Sequence, residues 1–250
     1  DEDEIMLTGT SLVTGGDNTE ARLWNGSGWT AITAAILTTT PSDDNYDHHS
    51  FSWDTSKPRI YQNAFRIYDN DTNMPPSTAL AAENTNYSGL DWEGASRLRV
   101  SLAVAANSSS IAASSLTLKL QYAMNCSQWT DVGNTTAVNV AWRGKTNTGR
   151  TDGETAGDNV PVGDLVQLTV SDVGETYEDN ASTAANSNPN AVAAGQDGEY
   201  DWVIENYAAD PGTAYCFRAV HSTGKTFSGA YARLPQITTA SSQAAWARSI

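Results

Sequence analysis

The chain is short of cysteine, methionine, phenylalanine, histidine and basic residues. Its 250 residues include two Cys, three Met, four Phe, three His and 14 Lys plus Arg. Two cysteines are too few for a disulfide-dense scaffold or a cysteine-rich zinc site. Set against 29 acidic residues, the few cations leave a net charge of −15. That charge argues against nucleic acid or an anionic membrane as partner, since both are polyanions. Solubility accounts for it more simply than a functional acidic face. No apolar run approaches the roughly 18–20 residues needed to span a bilayer; AITAAIL, residues 31–37, is the longest candidate. There is no GxSxG elbow and no Cys–His signature of a nucleophilic enzyme. The opening Asp-Glu-Asp-Glu has neither a basic nor an apolar signal region, so it reads as a mature end left by signal cleavage. The expected address is extracellular or the cell surface.

Gly, Ser, Thr, Asn and Asp are abundant. They favour many short strands joined by turns over helices. The clearest strand is LTLKLQYAMNCSQWTDVG, residues 116–133. Leu116, Leu118, Leu120, Tyr122 and Met124 alternate with Thr117, Lys119, Gln121 and Asn125, which predicts one buried and one wet face. NAFRIY (63–68), RLRVSLAV (97–104), LVQLTV (165–170) and YDWVIE (200–205) alternate in the same way, and AVNVAW (137–142), TAYCFRAV (213–220) and YARLPQIT (231–238) are further strand-like runs. In RLRVSLAV the apolar Leu98, Val100, Leu102 and Val104 face inward, with Arg97, Arg99 and Ser101 outward. Pro235 cannot donate to a ladder, so the last strand is expected at an edge. The polar stretches 143–164 and 172–199 read as surface insertions.

The fold class that follows is all-β: an antiparallel immunoglobulin- or fibronectin-III-like sandwich with long loop insertions and an N-terminal β extension. A closed barrel is the alternative. Cys126 and Cys216 both lie in strand-like runs and are expected to be bonded, although Cys126 has the apolar phase of its strand and Cys216 the phase of Arg218. A bulge or turn before Trp129 would reconcile the two. Ahead of the sandwich, residues 1–60 carry a β-prone run, IMLTGTSLV (5–13), and a hairpin signal, Asn25-Gly26, between Trp24 and Trp29. The expected division is 1–60 as a strand and hairpin segment that links subunits, 61–240 as the sandwich, and 241–250 as a tail.

In this order, QNAFRIYDND, ALAAENTN, SRLRVSLAV, LKLQYAMNCSQWTDVG, TYEDN, EYDWVIEN, AYCFRAV and YARLPQITT resemble a β-sandwich module of large bacterial secreted and surface proteins. The match covers about residues 62–239. The resemblance implies an extracellular sandwich and brings no established activity, so no functional residue is carried over.

Candidate chemistry is sparse. Asp69, Asp71 and Asn73 have the alternate spacing of a calcium loop, but Met74 and Leu80 stand where an EF-hand needs Gly and Glu. An Asp/Asn-rich turn is the simpler reading. Asp43, Asp44, Asp47, His48 and His49 read as a solvated loop, because adjacent histidines on an extended chain point apart. Trp129 and Trp202 are expected in the core, while Trp24, Trp29, Trp53, Trp92 and Trp246 are candidates for a sugar-stacking face. Seven N-x-S/T sequons, at Asn25, Asn70, Asn86, Asn107, Asn125, Asn134 and Asn180, permit glycosylation in a secreted protein.

The sequence therefore points to a non-enzymatic extracellular subunit of a pilus-like filament or surface layer, with no cofactor or metal. Identical subunits are the expected partners, joined by strand exchange through Ile5, Leu7, Leu12 and Val13. A carbohydrate-binding or adhesive module that takes cell-surface glycans is the alternative, and a secreted hydrolase comes third.

Overall fold

The computed structural model describes residues 57–74, 76–155, 173–179, 186–229 and 231–241, together with the backbone of five strands before residue 51. The chain divides into two units, Asp1–Asp54 and Thr55–Ile250.

In the first unit, β1 (Ile5–Thr8), β2 (Glu20–Trp24) and β3 (Trp29–Ala31) form an antiparallel sheet in that order. Trp24 lies opposite Trp29, so the Asn25-Gly26 signal sits between paired strands, as its turn chemistry predicts. β1 is an outer strand whose Ile5 and Leu7 lie opposite Leu23 and Ala21. Leu12 and Val13 fall outside the described residues. β4 (Thr38–Pro41) pairs with β5 (Asp47–Ser50). His48 and His49 are ladder positions of β5 opposite Thr40 and Thr39.

The second unit is all-β among its described residues. One sheet contains β6 (Ile60–Asp69), β8 (Ala95–Val104), β14 (Asp197–Asn206), β11 (Trp142–Gly144) and β12 (Val173–Glu178). The other contains β7 (Tyr87–Leu90), β9 (Thr117–Met124), β10 (Thr130–Asp131), β13 (Asn186–Ser187), β15 (Ala214–His221) and β16 (Gln236–Thr239). Neither sheet closes on itself among these residues, which removes the barrel alternative. Both sheets contribute to one apolar core: Phe65, Ile67, Leu98, Val100, Leu102, Tyr200, Trp202 and Ile204 from the first, and Leu118, Leu120, Phe217 and Ile237 from the second. Trp142 joins the layers, with its ring 4.9 Å from Phe217 and 5.6 Å from Tyr215. Alternation along each strand delivers these groups to the same side.

Several expectations need correction. The sheets are mixed: β12 runs parallel to β14, and β16 parallel to β7. β16 lies between β15 and β7 and is not an edge. Pro235 precedes its first paired residue, and the proline carbonyl accepts the Phe217 N–H at 2.8 Å, so the missing N–H costs no ladder bond. Only Trp142–Gly144 of the 137–144 region is strand. The run 165–170 lies outside the described residues. The 172–199 stretch is more than an insertion, since Val173–Glu178 lengthens the first sheet. The central strand holds Leu116, Leu118 and Leu120 in the core, but Met124 is 42% exposed because the strand leaves the core there.

The long edges of the two sheets are covered. Along β6, Asp69 N–H donates to Thr78 O, Leu80 N–H to Ile67 O, and Asn84 N–H to Phe65 O, at 2.8–2.9 Å. Further down, Gly229 N–H donates to Ile60 O and Arg233 N–H to Gln62 O. The buried Gln62 side chain bridges the sheets, accepting from Ala219 N–H at 2.9 Å and donating to Arg233 O at 2.8 Å. β10 and β13 share the outer edge of β9, and β11 and β12 share that of β14. β7 is an outer strand of four residues, irregular in register, with Gly89 at φ +96°. An outer strand that is bent and shifted in register is a poor template for further pairing.

Candidate functional site

The unusual feature of the sandwich unit is the second face of the β8–β14 sheet, which the sequence assigns to solvent. Arg97, Arg99 and Ser101 on β8, and Asp197, Glu199 and Asp201 on β14, are all buried. The two strands pair antiparallel with Arg97 opposite Val203, Arg99 opposite Asp201 and Ser101 opposite Glu199. Each β8 group reaches diagonally to the acid two residues before its direct partner. Arg97 donates to Asp201 through Nε at 3.3 Å and also through Nη2. Arg99 meets Glu199 at 2.9 Å and 2.8 Å, and Ser101 Oγ donates to Asp197 at 2.9 Å. Glu205 extends the ladder, accepting from Arg143 Nε and Lys145 Nζ, both at 2.6 Å. Guanidinium forks and hydrogen-bonded carboxylates are what make burial of these charges tolerable.

Arg97 explains the Asp69–Asn73 loop. The carbonyls of Asp71 and Asn73 accept from its Nη1, the Asp71 carboxylate lies 3.6 Å away, and the Tyr177 ring sits 5.1 Å from its guanidinium carbon. The Asp71 carboxylate also takes N–H donors from Asn73 and Ser77 at 2.9 Å and from Thr78 at 3.2 Å. Burial opposes its ionisation, but the hydrogen bonds from Ser77, Asn73 and Thr78 outweigh burial and hold its pKa below the ordinary value. The cation gathered by this loop is an arginine of the same chain. No group of metal-ligating side chains occurs among the described residues.

A second acidic group surrounds β12. Glu175 and Glu178 are wholly buried, and Asp179 is nearly so. Burial pushes Glu175 up to about 8, while its Oε2 accepts Asn190 N–H at 3.3 Å. Burial, reinforced by Asp152 and Asp179, pushes Glu178 up to about 9. Asp179 rises to about 6 through burial and its carboxyl contact with Asp152.

Cys126 and Cys216 form a disulfide spanning 90 residues, with Cα atoms 5.1 Å apart. The phase conflict disappears because β9 ends at Met124. Asn125, Cys126 and Gln128 adopt φ of 51°, 57° and 55°, turning the exposed Cys126 back towards buried Cys216, whose ladder partner is Ala123. Nearby, Arg218 lies 4.2 Å above the half-buried Trp129 ring and donates to Gln121. Trp129 is therefore on the outer side of its sheet and not in the core as expected, whereas Trp202 is core. Trp92 is half-buried, its indole N–H donating to Tyr207 O at 2.7 Å. Trp53 and Trp246 lie outside the described residues, as do Asp43 and Asp44.

The ladder was missed because alternation alone assigns polar phases to water. The missed signal is complementary charge: Arg-x-Arg-x-Ser on one strand and Asp-x-Glu-x-Asp on another, each in the polar phase. Comparison of the chain with protein-family models, curated proteins and solved structures finds no match.

Proposed function

We propose that this chain is a non-enzymatic, extracellular structural subunit of immunoglobulin- or fibronectin-III-like type, assembled with identical copies into a pilus-like filament or surface layer. The observation that carries the reading is the contrast between edges. The long sandwich edges are covered by loops and short strands, whereas Ile5–Thr8 is an outer strand of the N-terminal sheet. An outer strand is a template for pairing with another chain. Head-to-tail strand exchange through Ile5, Leu7, Leu12 and Val13 is a heterologous contact that need not close, so repetition gives a filament. The disulfide suits an oxidising address outside the cell, and the resemblance to the bacterial surface-protein module points the same way.

Deletion of residues 1–13 tests this assignment. The truncated protein is expected to keep the sandwich's thermal transition but to remain monomeric by light scattering. Normal assembly of the folded truncation would reject strand exchange. A second reading, glycan binding, draws on Trp129 beneath Arg218 and beside Gln121. Sugar-specific binding on a glycan array, lost in Trp129→Ala, would favour that reading.

A further inference from the structure

Charge is spread unevenly along this chain. Residues 1–54, the first unit, hold ten acidic residues and one arginine, a net charge of −9. Two stretches of the second unit have the opposite bias. Residues 55–68 carry Lys57, Arg59 and Arg66 with no acid, and residues 211–250 carry Arg218, Lys225, Arg233 and Arg248 with no acid. The fold brings these two stretches together. Gly229 N–H donates to Ile60 O at 2.9 Å, Arg233 N–H to Gln62 O at 3.2 Å and Ser228 Oγ to Pro58 O at 3.4 Å, while Tyr231 bridges Gln62. A Cβ at Gly229 would lie 2.3 Å from Ile60 O and 2.6 Å from the Tyr61 ring, so glycine is what allows so close an approach. Phe227 packs on Tyr231 at 5.8 Å and on His221 at 5.2 Å, which keeps the 221–225 turn alongside. Lys57, Lys225 and Arg233 are exposed, and half-buried Arg59 holds its guanidinium 5.7 Å from the Tyr61 ring. Lys119, next to Gly224, is already answered by Asp131 at 2.7 Å.

We propose that this cationic surface, with Lys57, Arg59, Lys225 and Arg233 on it, is where one copy of the chain receives the acidic N-terminal unit of the next. This receiving surface belongs to the head-to-tail assembly proposed above and falls with it. Copies that each carry −15 repel one another. Gathering acids on one unit and unopposed cations on another surface turns that repulsion into attraction in one relative orientation only. A two-fold contact would set like charges face to face, whereas a heterologous contact joins the unlike patches and can repeat along a filament. Asp1, Glu2, Asp3 and Glu4 lead directly into Ile5–Thr8, so the segment assigned to strand exchange carries the densest negative charge in the sequence. Long-range attraction then guides the encounter, and strand pairing fixes it. An anionic polymer would meet the same cations, but the acidic unit of each chain would repel it.

Light scattering of full-length chains over a concentration series tests this. The wild type is expected to need roughly tenfold more protein to assemble when salt rises from about 0.05 M to about 0.5 M, because screening shortens the reach of these charges. The combined variant Lys57→Glu, Lys225→Glu, Arg233→Glu should raise the threshold by roughly tenfold or more at low salt. It should keep the wild-type thermal transition, since all three side chains are exposed. If it folds poorly, Lys57→Gln with Arg233→Gln is expected to move the threshold the same way by less. A second chain carries Asp1→Lys, Glu2→Lys, Asp3→Lys and Glu4→Lys. Each variant alone should assemble poorly, and an equal mixture of the two should recover most of the loss, because the reversed unit of one fits the reversed surface of the other. A folded triple variant that assembles as the wild type does would overturn the receiving surface and leave assembly itself standing. Wild type that stays monomeric at every concentration would reject the assembly and this surface together. Heparin binding that the triple variant loses, with no recovery in the mixture, would give the cations to an anionic polymer and overturn the proposal.

Discussion

Glu175→Gln tests the reading of the sandwich interior most sharply. Glu175 sits on β12 with no exposed surface, and its Cγ packs so close to Gly198 that a methyl there would lie 3.3 Å from it. Its Oε1 has no hydrogen-bond partner among the described residues, and burial pushes its pKa up to about 8 from 4.5. The folded chain therefore retains a proton that the unfolded chain releases. The sign follows from linkage: stability is full below about 4.5 and is lost as pH rises towards about 8. At pH 7 the unfolded state gains about 3 kcal/mol from this one group, at about 1.4 kcal/mol per unit, or about 2 kcal/mol if water reaches the sheet edge. Glutamine has nearly the same shape and no charge to form. Urea unfolding followed by tryptophan fluorescence should give equal stability for both proteins at about pH 4, where the carboxyl is protonated in both states. By pH 7–8 the variant should be ahead by about 2–3 kcal/mol, with an unchanged denaturant slope. A variant that is less stable by the same amount at every pH would refute the claim that Glu175 is buried as the neutral acid.

Two further outcomes follow from other parts of the unit. Non-reducing peptide mapping should join Cys126 to Cys216, and Cys126→Ser should lose about 4–5 kcal/mol, because the unfolded chain regains the freedom of a long loop; two alkylatable thiols in native protein would contradict the bond. Arg97→Met leaves Asp201 buried without its guanidinium and should cost about 3–5 kcal/mol in urea melts, whereas adding Asp201→Leu should restore most of it; a double variant no more stable than the single would show that the pair is not the source.

The sequence was informative where one rule governed a residue. Period-two alternation placed Leu98, Val100, Leu102, Tyr200, Trp202 and Ile204 on the core side, because strand geometry leaves no other choice. It was uninformative where a second layer decides. Nothing local to Arg97 announces that loop 70–74 and Tyr177 of β12 cover it, so its polar phase, like that of Arg99, reads as wet. The same limit hid Val173–Glu178, whose glutamates argue against a buried strand until their protonation is considered. Pro235 misled because a proline just before a strand's first pair breaks no ladder bond. The disulfide was legible as a pair of positions, but its geometry depended on the left-handed backbone of Asn125 and Cys126, a conformation that asparagine tolerates and cysteine adopts only infrequently.

Assembly is the central claim, and negative-stain electron microscopy of the purified full chain, across a concentration series in oxidising buffer, tests it most directly. Regular fibres or an ordered lattice of repeating subunits are predicted. Dispersed single particles of one-chain size at every concentration would contradict it.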